Sequence, residues 1–312
     1  MNLQQLEYIV AVDTYRHFAT ASEKCFVTQP TLSMMIRKLE EELDIQIFDR
    51  SRQPVVPTDA GIPVIAQARA VLREARRLKE IVAGQKGEIG GELRLGVIPT
   101  VAPYLLPLFL GSFLHRYPMV SLKIYELTTD QIIARLRKQE LDAALLATPL
   151  NEASIVELPL FYEEFLVYAS SGESILKKKY LLSKDIDVHR LWLLEEGHCL
   201  RAQVLNLCEL RESVHRQLDY EAGSIDTLVK LVDLHKGITI LPELAVGDLG
   251  AAQRKKVRRF RSPAPVREIS IVTYRHFVKQ RMLEALSEEI LSSIPASMRK
   301  VGRKNLVIDL RG

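Results

Sequence analysis

The stretch Val27-Thr28-Gln29-Pro30-Thr31-Leu32-Ser33-Met34-Met35-Ile36-Arg37-Lys38-Leu39 decides how the N-terminal part of this chain folds. Thr28 suits a helix N-cap, and Pro30 sits just inside, where no helical N–H is needed. Leu32, Met35, Ile36, Leu39 and then Leu43 fall three, four, seven and eleven residues from the first, which puts them on one buried helix face. The opposite face shows Gln29, Thr31, Ser33, Met34 and Arg37. Such side chains at a helix N-terminus can reach base edges or phosphates.

The flanks extend this reading. Leu3, Leu6, Ile9 and Val10 make an apolar stripe at helical spacing, and Thr20-Ala21-Ser22-Glu23 fits a capping box that opens a short second helix ending near Cys25 and Phe26. Two helices joined by a tight turn, the second with a polar N-terminal face, describe a helix-turn-helix. Downstream, Ile45-Gln46-Ile47-Phe48, a turn at Asp49-Arg50-Ser51-Arg52 and a return through Pro54-Val55-Val56-Pro57 read as a small β-wing. Two arginines at its tip suit a minor groove or a phosphate backbone. Residues 1–58 hold six basic and eight acidic side chains, so binding would rest on the placement of Arg37, Arg50 and Arg52 rather than on net charge. A generic three-helix domain would show the same core stripe.

The motifs make the pattern specific. Leu3-Gln4-Gln5-Leu6, Phe18-Ala19-Thr20-Ala21-Ser22, Val27-Thr28-Gln29-Pro30-Thr31-Leu32-Ser33, Leu39-Glu40, Phe48-Asp49-Arg50 and Pro57-Thr58-Asp59-Ala60-Gly61, in this order, resemble the winged helix-turn-helix of the LysR-type transcriptional regulators. The resemblance implies contacts with double-stranded DNA by Thr28, Gln29, Pro30, Thr31, Ser33 and Arg37, and wing contacts by Arg50 and Arg52.

Beyond the wing, Thr58 can cap a helix running to about residue 85, with Ile65, Ala68, Leu72, Ala75, Leu78 and Val82 along one side. About 25 helical residues reach about 37 Å, too far for a small domain to cover, so a second copy of the chain is the expected cover. The alternative is that the stripe packs on its own chain. In the family, similar helices pair antiparallel and dimers commonly assemble into tetramers. Gly84, Gly87, Gly90 and Gly91 mark a flexible join.

From residue 92 strand and helix patterns alternate. Residues 93–98, 120–125 and 142–147 read as strands, with helices after Pro99-Thr100 and near residues 130–139. Residues 165–169, 191–194 and 238–242 read as strands of a second lobe, 268–274 as a return strand and 279–294 as a closing helix. This rhythm predicts a largely parallel sheet. The expected fold class is α/β: a winged helix-turn-helix (1–58), a linker helix (59–87) and a two-lobed regulatory domain resembling periplasmic binding proteins (88–297). Lobe I would take residues 88–162 and 268–297, lobe II 163–267, and a basic tail 298–312. Thr100 and Thr129 fall where such sheets bind ligands, and each can also be read as a plain helix N-cap.

The chain has three cysteines, Cys25, Cys199 and Cys208, too few for a disulfide framework. No basic leader and no run of about 18 apolar residues appears, so a cytoplasmic protein without membrane contact is expected. Any disulfide there would be regulatory or catalytic. Cys199 lies in Glu196-Gly197-His198-Cys199-Leu200-Arg201, beside two potential cations and near an expected helix start, both of which lower a thiol pKa. If one helix carries Cys199 and Cys208, nine residues separate them by about 13 Å along its axis. A disulfide needs Cα atoms within about 7 Å, so bond formation would require refolding. On spacing alone, two cysteines lining a core is the simpler reading.

Gly197-His198-Cys199-Leu200-Arg201 with Cys208, Ile98-Pro99-Thr100-Val101, Tyr104-Leu105-Leu106-Pro107, Gly237-Ile238-Thr239 and Leu241-Pro242 resemble the peroxide-sensing members of the same family. That resemblance, which runs to about residue 294, implies that hydrogen peroxide oxidises Cys199 and that Cys208 resolves it to an intramolecular disulfide. Thr100, Thr129, His198 and Arg267 would bind the peroxide. It also implies RNA polymerase and a glutaredoxin- or thioredoxin-type reductant as partners, with no cofactor, no metal and no enzymatic turnover. Ala102, Ala202 and Lys236 depart from the expected pattern. A metabolite-sensing LysR-type regulator and a thiol peroxidase are the alternatives. The second would leave residues 1–58 idle. Cys25 reads as a small core residue. The net charge is only +4, but five basic side chains against one acidic mark residues 299–312, where phosphate attraction is expected.

Overall fold

The computed structural model describes residues 1–85, 89–208, 222–275, 277, 279–299 and 306–308. The chain divides into two compact units, residues 1–88 and 89–312.

The first unit is a winged helix-turn-helix with a long helix. Helix α1 (Leu3–Tyr15), α2 (Phe18–Lys24) and α3 (Gln29–Leu43) precede the antiparallel wing strands β1 (Phe48–Asp49) and β2 (Val56–Pro57). Thr28 caps α3, its hydroxyl accepting the Thr31 N–H. Helix α2 starts earlier than its capping-box pattern suggests. His17 is the N-cap and its Nδ1 accepts the Thr20 N–H, so Thr20 lies inside the helix. Leu6, Ile9, Val12, Leu32, Ile36 and Leu39 form the core, while Leu3, expected on the α1 stripe, is exposed.

Helix α4 (Gly61–Gln85) splits its apolar stripe between two fates. Ile65, Ala68 and Leu72 are buried against the core of their own unit, so the own-chain alternative holds for the proximal turns. Leu78, farther along, is 67% exposed. The side chain of Val82 and the glycine join at Gly87 lie outside what is described.

The second unit is built on one mixed sheet. Its elements are β3 (Gly91–Val97), α5 (Ala102–Arg116), β4 (Val120–Glu126), α6 (Thr129–Arg137), β5 (Ala143–Thr148), β6 (Ile155–Ala169), β7 (Tyr180–Leu181), α7 (Cys199–Leu207) and α8 (Ile225–His235). There follow β8 (Ile238–Pro242), α9 (Glu243–Val246), α10 (Ala251–Arg254), β9 (Val257–Phe260), β10 (Pro265–Tyr274), α11 (Gln280–Ser293) and β11 (Leu306–Val307). The strand order is β4-β3-β5-β10-β6-β9-β7, with β8 beside β6 and β11 beside β10.

The expectation of a largely parallel sheet holds for the run β4, β3 and β5 and for the short pairs β7–β9 and β10–β11. Strand β10 runs antiparallel to β5 and β6, and β6 is antiparallel to β8 and β9. The cause is the 15-residue β6, which runs from one core into the other instead of ending at a lobe. Leu160 and Phe161 on it belong to one core, with Leu95, Phe109, Ile132 and Leu286. Phe165 and Val167 belong to the other, with Leu200, Val204, Val229 and Ile240. Residues 191–194, expected as a strand, contribute two isolated bridges, Leu191 to Ile238 and Leu194 to Ala222. Tyr104 joins the lobes: it starts on α5 of the first core, packs in the second, and its hydroxyl donates to Asp226 Oδ1 at 3.2 Å.

Candidate thiol site and nucleic-acid interface

Cys199 is the first residue of α7, and His198 is its N-cap. Gly197 makes the entry turn at a φ of +89°, a conformation that glycine adopts without a Cβ penalty. The helix straddles the lobes. Its Cys199 side chain packs into the first core, whereas Leu200, Val204 and Leu207 pack into the second. Cys208 caps the same helix at its other end. All three cysteines are free thiols. A continuous helix from 199 to 207 fulfils the condition set above, so the two sulfurs cannot bond while α7 is intact.

Three other segments converge on Cys199. Arg267, fully buried on β10, donates through Nη1 to Thr100 Oγ1 at 3.0 Å and through Nη2 to the Thr100 carbonyl at 3.0 Å. Its Nε donates to Glu163 Oε2 at 2.8 Å, and Glu163 Oε1 accepts the Leu244 N–H at 2.7 Å. Thr129 opens α6, and its buried Oγ1 has no hydrogen-bond partner among the described residues, although it lies within reach of the Cys199 sulfur. Neither threonine is an N-cap. Thr128 caps α6, and α5 begins after Val101.

The electrostatics differ from the sequence expectation. Burial pushes the Cys199 thiol above its ordinary value; Arg267, the Thr129 and Thr100 hydroxyls and the Leu200 N–H pull the other way without overcoming it. The cation facing the sulfur is Arg267, not the neighbouring pair His198 and Arg201. Arg201 donates to the Leu194 carbonyl at 2.8 Å, and His198 Nε2 lies 3.4 Å from Glu195. Arg267 is paired with Glu163, and desolvation of the thiolate outweighs the Arg267 charge. Burial also pushes Cys208 up to about 11. In this conformation both thiols hold their protons near neutrality.

Sequence reasoning missed Glu163, although the signal was present. A carboxylate inside Leu160-Phe161-Tyr162-Glu163-Glu164-Phe165-Leu166 demands a buried partner. His198 is buried beside the site, and no hydrogen bond links it to Thr100, Thr129 or Arg267 among the described residues.

In the first unit, Thr28, Gln29, Pro30, Thr31 and Arg37 are exposed on the N-terminal part of α3. Ser33 is half-buried because its hydroxyl accepts from Arg50 at 3.2 Å. Arg50 does not project from the wing tip as expected. It turns back to Glu40 at 2.6 Å and lies 5.2 Å over the Phe18 ring. Arg52 does project, 71% exposed and paired with Asp49 at 3.1 Å.

Comparison with known proteins assigns this architecture. The family described as bacterial regulatory helix-turn-helix protein, lysR family, matches residues 3–62, and the LysR substrate binding domain matches residues 86–294. The hydrogen peroxide-inducible genes activator of Haemophilus influenzae is 37% identical over 300 residues, covering 94% of this chain and 98% of that protein. The DNA-binding transcriptional dual regulator OxyR of Escherichia coli K12 is 38% identical over 246 residues, 79% and 80% of the two chains.

The chain belongs to the LysR family, in its OxyR branch.

Among solved structures, a full-length OxyR variant from Pseudomonas aeruginosa matches with a TM-score of 0.75 at 33% identity, over 97% of this chain and 100% of that one. An H2O2-bound OxyR mutant from Corynebacterium glutamicum matches at 0.62 and 28% identity, over 94% and 92%. As a LysR-family regulator the chain binds DNA through its helix-turn-helix. No helix among the described residues is long and apolar enough to cross a membrane.

Proposed function

We propose that this OxyR-type chain is a hydrogen-peroxide-sensing transcriptional regulator whose switch is the oxidation of Cys199 and Cys208. The observation that carries the proposal is the buried convergence of Cys199, Thr100, Thr129 and Arg267, with a second thiol at the far end of the same helix. The unpartnered Thr129 hydroxyl and the Thr100 hydroxyl offer hydrogen bonds to a small polar molecule at the sulfur. A peroxide at the sulfur would give the Thr129 hydroxyl a hydrogen-bond partner.

The chemistry balances without a cofactor. The Cys199 thiol loses its proton, and the thiolate attacks one peroxide oxygen while the O–O bond breaks. The departing hydroxide takes a proton to become water, leaving a sulfenic acid on Cys199. Arg267 stabilises the charge on both thiolate and leaving oxygen. Cys208 thiolate then attacks the Cys199 sulfur, and the sulfenic oxygen leaves as a second water. Two thiols and one peroxide become one disulfide and two waters. Since α7 holds the thiols about 13 Å apart, the second step unwinds it, and the core that Leu200, Val204 and Leu207 line must repack. His198 lies close enough in sequence to move with the switch.

The rest of the reading follows from this change. The repacked regulatory domain alters subunit geometry, so the reading heads exposed on α3 and the projecting Arg52 meet the operator differently and engage RNA polymerase. Thr28, Gln29, Pro30, Thr31, Ser33 and Arg37 contact DNA, while Arg50 holds the wing against α3. The exposed distal stripe of α4, marked by Leu78, pairs with the same helix of a second copy, and dimers pair to tetramers. A cytoplasmic glutaredoxin- or thioredoxin-type reductant resets the dithiol, so each molecule reports one oxidation rather than turning over.

DNase footprinting of the chain on a bound operator, with and without peroxide, tests the reading. Cys199→Ser is expected to bind DNA yet show the same footprint under both conditions. A peroxide-dependent footprint in that variant would contradict the thiol switch.

A further inference from the structure

The tail beyond residue 294 lies outside the matched LysR domain, yet part of it is built into the switch. Strand β11 pairs in parallel with the start of β10, Leu306 beside Pro265 and Val307 beside Val266. The Leu306 N–H donates to the Ala264 carbonyl at 3.0 Å, and the Ile308 N–H donates to the Val266 carbonyl at 2.9 Å. The next residue on β10 is Arg267. Ile308 is buried in the same core as Leu200, Val204 and Leu207. Its carbonyl accepts a hydrogen bond at 3.0 Å from Gln203 Nε2, which lies on α7 between the two cysteines. Gln203 is fully buried, and its Oε1 has no partner among the described residues. Among the described residues, the amide is therefore held at one end only, by the tail.

We propose that Gln203 is a positioning residue through which the C-terminal strand latches α7 in its helical, dithiol form and so sets how readily Cys199 and Cys208 are oxidised. The inference rests on the thiol-switch reading above. Its logic is linkage. A contact made by helical α7 and lost when α7 unwinds stabilises the dithiol relative to the disulfide, and removing it moves the equilibrium toward the disulfide. The latch spans two parts of the site, because β11 pairs with the strand that carries Arg267 and Ile308, just after it, accepts from the helix that carries Cys199. A basic tail segment thereby acquires a role that its charge alone does not suggest: Leu306, Val307 and Ile308 act through backbone pairing and burial.

Two alterations open the latch from opposite sides. Gln203→Met keeps length and burial but removes the donor, and a chain ending at residue 305 removes the acceptor. The full-length chain and both variants are equilibrated in dithiothreitol redox buffers, where the protein dithiol passes two electrons and two protons to the buffer disulfide. Alkylation and mass spectrometry then give the oxidised fraction. Each variant is expected to favour the disulfide about tenfold, a potential about 30 mV more negative. The double variant is expected to match the larger single effect, as groups sharing one contact do.

Amide hydrogen exchange of α7 in a Cys208→Ser background reads the latch without any disulfide, and it should quicken in both variants. Unchanged potentials, or unchanged α7 exchange, would overturn the latch. A full-length chain that forms no Cys199–Cys208 disulfide in any buffer would overturn the switch reading, while the exchange experiment still decides the latch. Should the shortened chain fail to fold, Gln203→Met alone decides by both readouts.

Discussion

Helix α3, proposed above to read DNA, presents its candidate contact residues to solvent, whereas the proposed thiol pocket hides its own. On α3, one helix supplies Thr28 to Arg37 in sequence order, and a local rule, periodicity, separates the buried face from the reading face. The pocket draws Thr100, Thr129, Glu163, Cys199 and Arg267 from five places up to 167 residues apart. Its groups are charged or polar and largely buried, and Thr100, Glu163 and Arg267 satisfy one another through the Arg267 guanidinium. Sequence periodicity cannot reveal such an assembly, because nothing local to Arg267 says what it will meet. Changes on α3 should therefore alter affinity with little effect on folding, while changes in the pocket should couple stability to reactivity.

The largest expected effect tests that coupling. Arg267→Met leaves the fully buried Glu163 carboxylate without its partner, which should cost about 3–5 kcal/mol. Adding Glu163→Leu should recover most of this loss, since no buried charge then remains. Urea denaturation of the second unit's signal measures both. Peroxide oxidation should stay impaired in the double variant. A double variant with restored stability and wild-type oxidation would separate the ion pair from the chemistry and break the comparison.

A smaller effect is expected at Thr129. Thr129→Val removes a buried hydroxyl that has no hydrogen-bond partner among the described residues in the dithiol form, so stability should hold or rise by about 1 kcal/mol. The same change removes a group that stabilises the Cys199 thiolate, so the thiol pKa should rise further. The sign is fixed by chemistry: a raised thiol pKa means less thiolate at a given pH and slower attack on peroxide. Because burial raises the Cys199 pKa, the oxidation rate of the wild type should still be climbing above the ordinary thiol range, and the variant's curve should lie at higher pH still. Stopped-flow tryptophan fluorescence across pH would show it. Coincident curves would remove Thr129 from the site.

The smallest effects belong to the wing. Arg52→Ala should lower the slope of log affinity against log salt by about 0.9, the loss of one phosphate contact. Arg50→Ala should weaken binding with a smaller change in slope, because Arg50 is already paired with Glu40 and Ser33. Equal slopes for the two variants would contradict this division of roles.

The sequence was legible where structure is local. The α3 cap at Thr28 and the stripe Leu32, Ile36 and Leu39 follow from spacing, whereas Leu43, expected on the buried face, is exposed. The wing strands are shorter than the 45–48 and 54–57 reading and include Asp49, expected in the turn. The start of α2 did not follow from its pattern, because His17 accepts the Thr20 N–H in place of the expected threonine cap. The parallel reading of the sheet failed at β6 and β10, where long strands serve both cores and the alternation of strand and helix stops governing direction. At the site, the motif around Cys199 pointed to the thiol, but the cation was sought among sequence neighbours. Arg201 is spent on the Leu194 carbonyl, and the charge facing the sulfur comes from β10. The tail read as a basic segment, because three residues, Leu306, Val307 and Ile308, carry too little pattern to announce a strand.

One measurement bears most directly on the account. The reduced chain is treated with one equivalent of hydrogen peroxide, alkylated under denaturing conditions, digested and mapped by mass spectrometry, with far-ultraviolet circular dichroism recorded alongside. Expected are an intramolecular bond between Cys199 and Cys208, Cys25 still alkylated, and a loss of helix signal equal to about the nine residues of α7. A stable Cys199 sulfenic or sulfinic acid with Cys208 free, or a disulfide formed with the helix signal unchanged, would contradict it.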